Sequence, residues 1–150
     1  MAFYLQSVLL DGTSYKELGC SNPDKTLTNT FTPIENSRLC ELAEESEYVG
    51  KGSAMHDTVQ NYLIQKDPST IAVEVPVYDE ERSGFIDIVR FVNGRIQILD
   101  FKPNAHKENH FKVLTQLTHY RKLLAKKLEA SEFLFDCGYF DKDNFYLLIN

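Results

Sequence analysis

The chain has 150 residues, 43% of them hydrophobic and 25% charged, with a formal net charge of −6. That length supports one real hydrophobic core, the composition is that of an ordinary globular protein, and no run of about 18 apolar residues is present to span a membrane. Three widely spaced cysteines (Cys20, Cys40, Cys137) without a CxxC pair predict a reducing, cytoplasmic setting and argue against a zinc or iron–sulfur site made by this chain alone. The acidic excess argues against a nucleic-acid partner on its face, but the charge is unevenly spread. Residues 106–129 hold six basic side chains against two acidic ones, whereas residues 1–50 hold eight acids against three bases. A locally basic helix on an acidic protein can still guide a phosphate backbone, and a solvated helix face is the plainer alternative.

In chain order, residues 1–10 read as a short strand or helix, and they lack the basic stretch of a secretory signal. Residues 11–33 are rich in Gly, Ser, Thr, Asn and Pro and read as loop. Residues 33–48 predict a helix with an imperfect apolar stripe (Ile34, Leu39, Leu42, Ala43), ended by Gly50 and Gly52. Ser53 is placed to cap a second helix over 54–65, whose stripe is Met55, Val59, Tyr62 and Leu63. His56 lies on the edge of that stripe, where a histidine is most often a satisfied core-edge residue. Residues 70–78 alternate as a strand, and Pro76 marks it as an edge strand or an interrupted one. A polar turn over 79–83 follows. Whether Glu74 of that strand shares a face with later acids depends on the turn's register.

The centre of the chain is residues 84–102, GFIDIVRFVNGRIQILDFK, two apolar runs joined by Asn93-Gly94, the strongest short hairpin signal. A two-residue loop pairs Val92 with Arg95 and Arg90 with Gln97. Continuing outward places Asp87 opposite Asp100, on a face shared with Val89, Phe91, Ile96 and Ile98, with Phe85 and Lys102 beyond. Opposed like charges destabilise a sheet, so the pair calls for a shared proton, a cation, or solvent at a frayed end. A divalent ion suits best, because hard cations take carboxylate and water oxygens and keep positions open for phosphate. Lys102 would then neutralise charge developing on a phosphate or attacking water, and Pro103 stops the strand there. A surface hairpin with solvated aspartates is the competing reading.

After a loop over 103–108, a long helix runs to about residue 130 on a stripe of Val113, Leu117, Tyr120, Leu124 and Leu128. Gln116 and Tyr120, four apart, share a face, and Lys112, Arg121, Lys122, Lys126 and Lys127 line its wetter sides. Runs over 132–139 and 144–149 read as a closing hairpin. The order αα-βββ-α-ββ predicts an α/β fold of the α+β type, a mixed sheet with helices packed against it, in one domain covering 1–150 with 1–50 as an N-terminal extension.

The spaced set KGSAMHDTVQNYL, GFID, ILDFK and QLTHY resembles the PD-(D/E)XK nuclease superfamily, closest to its RecB-like exonuclease branch. A lone D-x-K is short and common; the four segments together, in order over about residues 50–139, are fairly specific. The resemblance implies a restriction-endonuclease-like core and a metal-dependent DNA nuclease, an exonuclease by the habit of the branch, serving recombination, repair or replication. Carried across residue by residue, it implies that Asp87, Asp100 and the Phe101 carbonyl bind Mg²⁺ or Mn²⁺, with His56 a further ligand or a neighbour of the ligands. Lys102 would orient or activate the water, Gln116 and Tyr120 would order the site and strand, and Glu74 would be an additional acid. DNA, as a single strand or duplex end, is the implied partner, with Lys112, Arg121 and Lys122 as backbone contacts. The chain departs from the pattern in carrying Ile86 where the superfamily name has Pro, and in lacking both a helicase segment and iron–sulfur cysteines. End selection would then come from homo-oligomerisation, a recombination or replication protein, or residues 1–50. Two other classes stay open: a DNA-binding or assembly subunit that keeps the fold without turnover, and an interaction or inhibitor module.

Overall fold

Alternating apolar rows in the central strands build a six-stranded mixed sheet in the order β1-β6-β5-β4-β3-β2, seen in a computed structural model that describes residues 30–148. The strands are β1 (Thr32–Pro33), β2 (Thr70–Tyr78), β3 (Ser83–Val92), β4 (Arg95–Phe101), β5 (Phe135–Phe140) and β6 (Phe145–Leu148). The helices are α1 (Arg38–Glu45), α2 (Ser53–Lys66) and α3 (His110–Leu128), with 3₁₀ turns at Ala105–Lys107 and Glu132–Leu134. The predicted order αα-βββ-α-ββ is present, preceded by β1. The expectations for residues 1–29, Cys20 included, lie outside the described residues.

The Asn93-Gly94 turn sets the β3–β4 register as expected: Val92↔Arg95, Arg90↔Gln97 and Ile88↔Leu99. Both turn residues have positive φ (52° and 78°), which asparagine tolerates and glycine adopts freely. β4 and β5 run parallel and are joined across the sheet by α3, whereas β5 and β6 form the antiparallel closing pair. β2 is an edge strand, consistent with Pro76, whose missing N–H a central strand would not accommodate.

Two apolar clusters sandwich the sheet. On one face, α3 buries Val113, Leu117 and Leu124 against Val89, Ile96, Ile98 and Tyr139. On the other, α1 and α2 bury Leu39, Leu42, Val59 and Leu63 against Ile88, Leu99, Phe101 and Phe140.

The structure corrects three boundaries. The helix expected over 33–48 starts at Arg38, because Ser37 accepts the Leu39 N–H and caps it. Pro33 instead joins Thr32 in β1, at the edge opposite β2, paired with Tyr146 and Leu147. The N-cap of α2 is Gly52 (φ 68°), so Ser53 sits within the first turn and caps nothing.

One irregularity sets up the site. Ala72 and Val75 of β2, three residues apart, both pack on the α3 side, and so do Ile86 and Val89 of β3. Strict alternation would send the members of each pair to opposite faces. Each strand therefore takes an irregular step between those residues. In β2 it falls at Glu74, whose φ of +48° is rare for a side-chain-bearing residue. The pairs Val73↔Ile88 and Val75↔Ile86 flank Glu74 and Asp87 in one register, and the register shift between the two strands lies nearer the start of β2, between Thr70 and Ala72.

Candidate active site

β3 and β4 pair regularly from their turn to Ile88↔Leu99, where the ladder of paired residues ends. Beyond it, the Phe101 N–H donates to Asp87 Oδ2 at 3.0 Å. The irregular step thus brings the Asp87 carboxylate into the gap between the strands, rather than leaving it in the row of Val89 and Phe91 as expected. There it lies 3.7 Å from His56 Nε2 of α2. Asp100 is buried at 6% exposure, and Lys102 Nζ stands 2.9 Å from its Oδ2. Lys102 is itself pinned, since its N–H donates to Phe140 O at 2.9 Å and continues the β4–β5 register past the strand end.

Burial pushes the Asp87 carboxyl up to about 8, helped by the hydrogen bond and charge of Asp100 and opposed by the Phe101 N–H and the Lys102 ammonium. For Lys102 burial works downward, but the charge and hydrogen bond of Asp100, with Glu108 and Asp87, outweigh it. The net shift is upward. The solvated-aspartate reading therefore does not hold: these acids are desolvated and crowd each other.

His56 completes the cluster. Its Nδ1 lies 3.1 Å from Gly52 O and its Nε2 lies 3.0 Å from Phe101 O. A neutral imidazole has one N–H for these two carbonyls. With the proton on Nδ1, bonded to the carbonyl one helical turn back, the Nε2 lone pair, Phe101 O and Asp87 Oδ2 all turn acceptors into one gap. Acceptors facing acceptors repel unless a proton or a metal cation stands between them. Among the described residues no group of three or more His, Cys, Asp or Glu side chains is arranged as a metal cage.

The remaining expected site residues are placed unequally. Gln116 Nε2 donates to Tyr120 OH at 3.2 Å, and the Tyr120 ring lies over Gly84, where an added Cβ would come within 2.6 Å of the hydroxyl. The helical pair therefore supports β3 three residues before Asp87; neither residue hydrogen-bonds a site carboxylate. Glu74 stands across from Asp87, between Val73↔Ile88 and Val75↔Ile86, but is exposed, and its side chain makes no hydrogen bond or ion pair among the described residues. Lys112 and Lys122 are exposed on α3.

Arg121 is a correction. It is only 3% exposed and lies 3.7 Å from Glu132 Oε1, because the 3.6-residue period puts it in one stripe with Leu117, Leu124 and Leu128. It cannot meet a DNA backbone from there.

Residues that sequence reasoning passed over are the carbonyls of Gly52 and Phe140, which hold His56 and Lys102. Also missed was Asp141, buried at 3% exposure, which accepts the Ala105, Asp143 and Asn144 N–H groups and so ties the segment after Lys102 to the β5–β6 turn. The four-residue spacing of Gly52 and His56 on a helix was a visible signal for the first; the others are long-range contacts. No family model matches the chain, and the searches of curated proteins and of solved structures return no match.

Proposed function

We propose that the protein is a divalent-metal-dependent nuclease, built on a restriction-endonuclease-like core, that hydrolyses DNA phosphodiesters. One observation carries the reading: Asp87 Oδ2 and Phe101 O lie 3.7 and 3.0 Å from His56 Nε2 and converge with it on one gap, beside a buried Asp100 ion-paired to Lys102. The donor set is oxygen-rich with one imidazole and suits Mg²⁺ or Mn²⁺. Asp87, Asp100, His56 and Phe101 O would hold the ion. When bound, it would polarise the phosphoryl oxygen and acidify a water.

The chain's own groups supply the rest. Lys102 is held protonated by Asp100, so it is a donor and fixed positive charge where charge builds on the phosphate, and not a base. The hydrogen bond from Phe101 N fixes one Asp87 oxygen and with it the carboxylate plane. The Gly52 and Phe101 carbonyls, at 3.1 and 3.0 Å from its two ring nitrogens, hold the orientation of the His56 imidazole, and Phe101 packs edge-on against that ring.

The test is titration calorimetry of the folded protein with Mn²⁺, paired with cleavage assays on linear DNA in Mn²⁺, Mg²⁺ and EDTA. Uptake of Mn²⁺ together with EDTA-sensitive cleavage is expected. No Mn²⁺ uptake, with or without nucleic acid, removes the reading. DNA binding that persists in EDTA without cleavage in either metal would favour the non-catalytic subunit instead.

A further inference from the structure

The ring of Phe85 is 64% exposed. Of the five large apolar side chains exposed among the described residues, it alone lies on a strand that carries one of the two central aspartates. Its orientation follows from its neighbours. Gly84 faces the Tyr120 ring of α3 and Ile86 packs in the α3-side core, so alternation turns Phe85 to the opposite face, the side from which His56 reaches Asp87. Across the ladder it pairs with Pro76, itself exposed, so no bulky neighbour of β2 covers the ring. Two residues of strand separate it from Asp87, a rise of about 6.8 Å.

We propose that Phe85 is the stacking platform for the unpaired base next to the phosphate held at Asp87, Asp100 and Lys102. The inference rests on the nuclease reading and deepens it. A phosphate fixed at the carboxylates leaves the adjoining base within reach of a ring one strand repeat away. A phenyl ring offers no hydrogen-bonding edge, so it accepts any base by its face. A base inside a duplex has both faces covered by its neighbours, so only an unpaired one can stack here.

The experiment compares a thymidine oligonucleotide with an abasic one of equal length, using the full chain. Cleavage is measured in Mn²⁺ and binding by fluorescence anisotropy in Ca²⁺. The wild type should prefer the base-bearing strand roughly 5- to 100-fold, the range of one stacked base. Phe85→Ala should bring that ratio toward one, chiefly through KM, and Phe85→Trp should keep it. Mn²⁺-dependent cleavage with the preference retained in Phe85→Ala overturns the platform and leaves the nuclease reading standing. Base-dependent binding that Phe85→Ala abolishes, with no cleavage by the wild type in any metal, keeps the platform and removes the nuclease. Absence of both binding and cleavage overturns both. A lower melting temperature of Phe85→Ala with the preference intact makes Phe85 a packing residue and overturns the platform.

Discussion

The β3–β4 ribbon meets desolvated acid at each end, Asp67 near the turn and the Asp87–Asp100 pair at the far end, and the chain treats them in opposite ways. Near the turn, Asp67 is fully provided for: Oδ1 accepts the Ser69 N–H, and Oδ2 accepts Thr70 Oγ1 at 2.7 Å and Arg90 Nε at 2.8 Å. Arg90 in turn donates to Gln97 at 3.0 Å. Burial works to raise the Asp67 carboxyl, yet these bonds and the arginine charge leave it below the usual range. At the far end, two acids meet one lysine, that lysine sits against Asp100, and Asp87 is left high. One end is closed by an internal cation. The other has a second carboxyl and no internal cation left for it, so that carboxyl keeps its proton near neutral pH unless an external cation takes the proton's place.

The most damaging change to this contrast is at the open end. Asp100→Asn or Lys102→Ala should cut cleavage by on the order of 10²–10³-fold or more, with circular dichroism and DNA binding retained; full activity in either variant rules the mechanism out. At the closed end the effect should fall on stability. Arg90→Ala strands a buried carboxylate and should cost about 3–5 kcal/mol in urea unfolding, while Mn²⁺ uptake per folded molecule persists. Gly84→Ala probes the support just beyond the open end. Its Cβ would meet the Tyr120 hydroxyl at 2.6 Å, so about 1–3 kcal/mol of stability should be lost, and a Tyr120→Ala background should shrink that loss.

The subtlest expectation concerns pH. A carboxyl raised in the folded state holds a proton that the unfolded chain releases near pH 4, so the metal-free protein should lose stability as pH rises from about 4 to about 8. The slope should be at most on the order of 1 kcal/mol per pH unit from this pair. Asp87→Asn or saturating Mn²⁺ should flatten it, and a metal-free slope unaffected by Asp87→Asn would show that the pair is not desolvated as described.

What the sequence disclosed follows from the range of the forces involved. The hairpin register was legible because Asn93-Gly94 fixes it within a few residues, and β2 was legible as an edge because Pro76 cannot donate. The irregular steps at Glu74 and Asp87 were not, since both residues sit in a smoothly alternating pattern of residue types. Arg121 was misjudged because charge outvoted helical period; its place in the stripe was visible. β1 was hidden by distance: Thr32 and Pro33 become a strand only by meeting Leu147 and Tyr146. His56 sat where most histidines are structural, and only its two carbonyl contacts set it apart.

That two-residue β1 carries a consequence for how the molecule behaves in company. It shields the outer margin of β6, helped by the bond from Ile34 N to Phe145 O at 2.8 Å. A shortened version starting after Ile34 would bare main-chain donors and acceptors along an apolar strand, an invitation to intermolecular β-addition. Such a version should associate or precipitate as its concentration rises, even with every residue of the proposed site in place.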